Sequence, residues 1–81
     1  MIPLTQVEAN QKVHVVEIQG GDQFLRRLEN LGIRHRAVLT KVSERSYSGP
    51  VIVKAGHAQV ALGRGMAEKI IVELPKPSPG T

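Results

Sequence analysis

Hydrophobic and polar positions alternate with a period of two along most of this chain, and one stretch switches to a helical period. Across residues 23–31, Phe24, Leu25, Leu28 and Leu31 recur on one side, while Gln23, Arg26, Arg27, Glu29 and Asn30 fall largely on the other. That spacing predicts a short amphipathic helix. Gly20 and Gly21 let the chain turn sharply into it, and Asp22 is the expected N-cap, its carboxylate accepting from N–H groups that a first turn leaves unpaired. At the far end Gly32 can adopt the left-handed conformation, which puts Ile33 where it meets Leu28, the signature of a Schellman motif. Such a helix is about 13 Å long, too short to be stable alone. Phe24, Leu28 and Leu31 are therefore expected to close a larger apolar structure.

The flanking sequence supplies strands. Residues 12–19 are rich in β-branched side chains, with Val16 and Ile18 on one face and Val13 and Val15 on the other. Residues 37–43 set Val38, Thr40 and Val42 against Ala37, Leu39 and Lys41, and a polar loop through Tyr47 to Pro50 follows. Residues 51–55 and 58–62 flank Gly56-His57, where glycine in the first central position fits a two-residue type II′ hairpin. Ile70, Ile71 and Val72 mark a fifth strand. Thr5 and Glu8 have capping-box spacing and predict one helical turn, and Asn10 tolerates left-handed backbone. Residues 63–68 read as a tight turn, too short and glycine-rich for a stable helix. The expected fold is mainly β: a small, partly open five-stranded barrel with one helix between its first two strands. It should occupy residues 1–74, with Pro75, Pro77 and Pro79 making residues 75–81 a disordered tail.

Composition narrows the chemistry. A chain of 81 residues without cysteine must be stabilised by burial alone, and thiolate metal sites are excluded. No apolar run is long enough to span a membrane, and the N-terminus lacks the features of a signal peptide, so a soluble, unexported protein is expected. The net charge of +4 favours acidic partners. Arg26, Arg27, Arg34, Arg36, Lys41 and Arg45 form the main basic concentration, opposed in that span by Glu29 and Glu44. His14, His35 and His57 are dispersed over separate elements without ligand spacing, so no metal site is expected. No cofactor motif appears either, since Gly63-Arg64-Gly65 lacks both the third glycine and the long helix of a dinucleotide site. Nucleophile, base and orienting group form no recognisable set, and an enzyme is not expected. Nucleic-acid binding is the alternative for a small basic barrel, but Phe24 and Tyr47 are its only aromatics for stacking, and Phe24 is claimed by the core.

The order of Val15-Val16-Glu17-Ile18-Gln19-Gly20-Gly21, Arg27-Leu28-Glu29-Asn30-Leu31-Gly32-Ile33, Gly49-Pro50-Val51, Val60-Ala61-Leu62 and Ala67-Glu68-Lys69-Ile70-Ile71-Val72 resembles the FeoA family, small cytosolic proteins that accompany bacterial ferrous iron transporters. The resemblance spans roughly residues 4–74. It implies an SH3-like barrel and a non-enzymatic accessory or regulatory role, exerted by contact with the transporter's cytosolic GTPase domain. The protein would then be cytoplasmic, held at the inner membrane only through that partner, with self-association open. Candidate contact residues are Arg26, Arg27, Arg34 and Arg36, with Tyr47 in the following loop. An SH3-like domain of an iron-dependent repressor is a third reading, set aside because the chain stands alone. Two positions depart from the family: Ala9-Asn10 and His35-Arg36 replace its Pro-Gly pairs. Asn10 can substitute, whereas positive φ at Arg36 would cost about 1–2 kcal/mol. A different turn geometry is expected there.

Overall fold

The computed structural model describes residues 1–43 and 49–75. Six strands form one antiparallel sheet: β1 (Ile2–Pro3), β2 (Lys12–Ile18), β3 (Val38–Ser43), β4 (Val51–Ala55), β5 (Ala58–Leu62) and β6 (Ile70–Glu73), in the spatial order β1-β6-β2-β3-β4-β5. Register shifts between Val15 and Glu17 and between Lys41 and Ser43 mark bulges, which increase local twist and curl the sheet. β1 and β5 remain as separate edges, so the barrel is partly open. The inner side of every long strand feeds one core: Val13, Val15, Leu39, Val51, Val53, Val60, Leu62, Ile70 and Val72. Leu4, Leu28, Ile33 and Ala67 enter it from the connections.

The sequence reading of five strands is one short. Ile2 and Pro3 pair with Val72 and Ile71, adding an edge strand too brief for any alternation to reveal. The turn after it is a 3₁₀ helix over Leu4–Gln6, with Pro3 at its N-cap and no side-chain capping bond, so the Thr5–Glu8 capping box does not form. Residues 63–68 also differ from expectation. An α-helix, α2 (Arg64–Glu68), starts from Gly63 and packs on the 3₁₀ turn, and burial of Ala67 stabilises what its intrinsic propensity would not.

Helix α1 (Asp22–Asn30) lies between β2 and β3 as its pattern requires. Its N-cap is Gly21, not Asp22: Gly21 is the extended flanking residue, its carbonyl accepts the Leu25 N–H at 3.0 Å, and Asp22 becomes the first helical residue. There the carboxylate makes no capping bond but still complements the positive end of the helix. Gly20 is needed for close approach, because a Cβ at that position would stand 2.5 Å from the Phe24 ring. At the other end the Schellman bonds are both present: Ile33 N–H donates to the Leu28 carbonyl at 2.8 Å, and Gly32 N–H to that of Glu29 at 2.9 Å, with Gly32 at φ +85. Leu28 and Ile33 are fully buried, and Phe24 packs on the core from its edge. Leu31 is not a core residue. It is 37% exposed because the helix ends at Asn30 and Leu31, as the C-cap, sits on the flank of the stripe whose centre is Leu28.

The turn after the helix overturns a further expectation. Arg36 has φ +72, and Ala37 N–H donates to the Arg34 carbonyl at 2.9 Å, so the turn has positive φ at its third residue as a type II turn does. Pairing with β2 imposes this geometry. Arg36 N–H donates to the Val15 carbonyl, and Val15 N–H to that of Ala37, both at 2.8 Å. The sheet thus fixes the backbone in a conformation that arginine itself disfavours. Asn10 adopts φ 68 in the same left-handed region, where its residue type is well tolerated. Across β4 and β5 the hairpin is as the sequence predicts, with Gly56 at φ +63 and Ala55 opposite Ala58.

Candidate partner-binding surface

The basic residues divide once they are placed. Lys41 faces inward with Leu39 and is 1% exposed, so it leaves the candidate surface. Its Nζ donates to the Val7 carbonyl at 2.6 Å and the Thr5 carbonyl at 3.3 Å, tying the chain around the 3₁₀ turn to β3. A buried ammonium needs such acceptors, since desolvation without them would be prohibitive. Asn10 N–H donates to the Lys41 carbonyl at 2.6 Å and Lys41 N–H to that of Gln11 at 3.1 Å, so the same segment is held from both sides.

Arg26, Arg27, Arg34 and Arg36 are all exposed. Among the described residues none of them makes an ion pair or a side-chain hydrogen bond. At about 100° per residue, Arg26 lies on the Glu29 side of α1 and Arg27 on the opposite flank. A cleft of about 300 Å³ runs between that side of α1 and β2, lined by Val16, Glu17, Ile18, Leu25, Glu29, Arg34 and His35. The structure therefore brings Arg34 beside the Leu25–Glu29 side of the helix, with Arg26 next to it, while Arg27 sits apart. Tyr47 and Arg45 lie outside the described residues.

The histidines do not converge. His14, on the outer side of β2, has Nε2 3.8 Å from Glu73 on β6, and both side chains are 41% exposed. His35 lines the α1 cleft and His57 stands at the tip of the β4–β5 hairpin. Among the described residues no three His, Asp or Glu side chains come close enough together to hold a metal ion. Phe24 is half-buried against the core, and the Lys69 Nζ lies over its ring, 5.3 Å from the centroid. A base would have to displace that cation to stack there. No helix among the described residues is long and apolar enough to cross a membrane.

A model of the FeoA domain matches residues 2–74. The Methanocaldococcus jannaschii protein provisionally named Fe(2+) transport protein A is 36% identical over 73 residues, 90% of this chain and 87% of its own length. The chain belongs to the FeoA family. A crystal structure of FeoA, described as an iron uptake regulatory protein, superposes with a TM-score of 0.80 at 28% identity, covering 89% of this chain and 93% of the other. FeoA of Stenotrophomonas maltophilia, complexed with zinc and described as a procaryotic SH3 domain protein, gives 0.76 at 22% identity, over 90% and 91% of the two chains. The SH3-like architecture of this FeoA-family chain follows from that likeness. The sequence reading of family and fold class holds, with a sixth strand and a second short helix added.

Proposed function

We propose that this FeoA-family protein is a non-enzymatic accessory of ferrous iron uptake, working in the cytoplasm by docking onto the cytosolic GTPase domain of the membrane iron transporter. The observation that carries the docking is the set of four exposed arginines, Arg26 and Arg34 beside the α1 cleft, Arg27 on the opposite flank and Arg36 in the turn, left without ionic partners among the described residues. A guanidinium that its own fold leaves unpaired can meet a partner's carboxylates in bidentate, charge-assisted hydrogen bonds. Four of them on one helix and the turn after it also create a positive field that steers an acidic surface into place. Family membership and the Fe(2+) transport assignment of the Methanocaldococcus jannaschii relative support iron uptake as the setting.

Nucleic acid would use the same charges, but it also calls for aromatic platforms, and Phe24 is occupied. The test is a tagged chain incubated with native membranes, beside a titration with single-stranded and duplex oligonucleotides at physiological ionic strength. The transporter should be retained and the oligonucleotides should not bind. Tight oligonucleotide binding without retention of the transporter would overturn the proposal.

A further inference from the structure

The two edges of the sheet are built differently. β1 is two residues long and contains Pro3, which has no N–H to offer, so this edge is short and blunted. β5 is five residues, Ala58-Gln59-Val60-Ala61-Leu62, with neither a proline nor a charge. Two of the devices that keep exposed strands from pairing, proline and charged side chains, are thus missing from it.

Its register shows which groups face outward. In a two-residue hairpin the residues flanking the turn form the first hydrogen-bonded pair, here Ala55 and Ala58, and the ladder then alternates. Val60 and Leu62 accordingly bond to Val53 and Val51, whereas Gln59 and Ala61 stand opposite Lys54 and Ile52 in non-hydrogen-bonded positions. The N–H and C=O of Gln59 and Ala61 therefore point away from β4, to the open edge. Both residues are exposed, and among the described residues their outward groups have no backbone partner.

Charge on the adjoining face says what would fit there. Lys12 is opposite Thr40, Thr40 opposite Lys54, and Lys54 opposite Gln59, so a single cross-strand row leads from β2 to the free edge. Lys12, Thr40 and Lys54 line one open cavity of about 420 Å³, and neither lysine forms an ion pair among the described residues. With strands about 4.8 Å apart, a strand added beside β5 would hold its side chain next to Gln59 within two strand spacings of Lys54. A carboxylate there is within reach of the ammonium.

We propose that β5 is a docking edge for an extended acidic segment of a partner protein, which adds a strand by bonding to Gln59 and Ala61 and directs a carboxylate over Gln59 toward Lys54. A second copy of this chain fits less well. Each copy carries +4, and pairing five-residue edges buries far less than the roughly 1,200 Å² of a stable interface. The cavity is also lined by Gly32 and Ala37, which bracket the turn carrying Arg34 and Arg36, so the two surfaces adjoin; the variants below change β4 and β5 and leave those arginines in place, which keeps the two tests distinguishable.

The probes are two end-blocked peptides, Val-Glu-Val-Glu-Val-Glu and its lysine counterpart, titrated into the full chain while amide hydrogen exchange is followed residue by residue. The acidic peptide should slow exchange at Gln59 and Ala61 by about ten-fold or more, and the lysine peptide should not. Ala61→Pro removes an outward donor without touching the β4 ladder and should abolish the effect. Lys54→Glu leaves the edge intact and guards against misfolding of the proline variant; it should weaken the acidic peptide about ten-fold and favour the lysine one. Protection of neither amide, or equal protection by both peptides, would overturn the proposal. So would protection that rises with protein concentration alone alongside a dimeric sedimentation mass, because a second copy would then hold the edge.

Discussion

Lys41 and the arginines at 26, 27, 34 and 36 carry the same charge within a short span of chain, and the fold treats them in opposite ways. Lys41 is buried with its ammonium on the carbonyls of Val7 and Thr5, whereas the four arginines are exposed and lack ionic partners among the described residues. Period decides the difference. Residues 39 and 41 share the inward side of β3, and a lysine stem is apolar enough to line a core provided its head finds acceptors. The arginines occupy the polar side of α1 and a surface turn. A cation in the sequence thus becomes either an internal clamp or an external handle according to the element that carries it, and only the handles are available to a partner.

Substitutions at these positions sharpen the contrast, and the largest effect belongs inside. Lys41→Ala removes a packed stem and leaves two carbonyls without this donor, and it should destabilise the protein by about 2–5 kcal/mol, the range expected also for Leu28→Ala. Chemical denaturation reads both. A loss under about 0.5 kcal/mol at either position would assign it to the surface. Lys41→Met keeps most of the stem and deletes the ammonium, so about 1–3 kcal/mol should remain as the share due to the unpaired carbonyls. If Lys41→Met matched wild type, the clamp would be packing alone.

Arg36 lies between the two classes, with its side chain outside and its backbone constrained. Arg36→Gly relieves a left-handed arginine and should stabilise the fold by about 1 kcal/mol, less than the full conformational penalty because glycine also gains freedom in the unfolded chain. A destabilised Arg36→Gly would mean that the side chain contributes contacts that outweigh the strain. Smallest of all, charge reversal at Arg27 and Arg34 should change stability by under about 0.5 kcal/mol.

Much of this fold is written locally. The β4–β5 hairpin needs only alternation around Gly56-His57, and the end of α1 needs only Leu28, Gly32 and Ile33 at the right spacing. What escaped the sequence depends on partners distant along the chain. β1 exists because β6 offers an edge to two residues, and α2 because Ala67 is buried against the 3₁₀ turn. The positive φ of Arg36 is imposed by hydrogen bonds to Val15, and the residue type gives no hint of it. Lys41 was legible, since alternation places it beside Leu39; grouping it with the surface charges follows composition and ignores the strand period. Exposure of the four arginines could be read from helix period and turn position, but the cleft beside Arg34 required the packing of α1 on β2.

The most direct test of the exposed handles is the association rate between the purified chain and the transporter's cytosolic domain, for wild type and for Arg27→Glu with Arg34→Glu, at low and physiological salt. If unpaired arginines steer docking, the double reversal will associate more slowly, the wild-type rate will fall as salt is added, and the two proteins will converge when screening is strong. An association rate unchanged by both the reversal and salt would contradict the account.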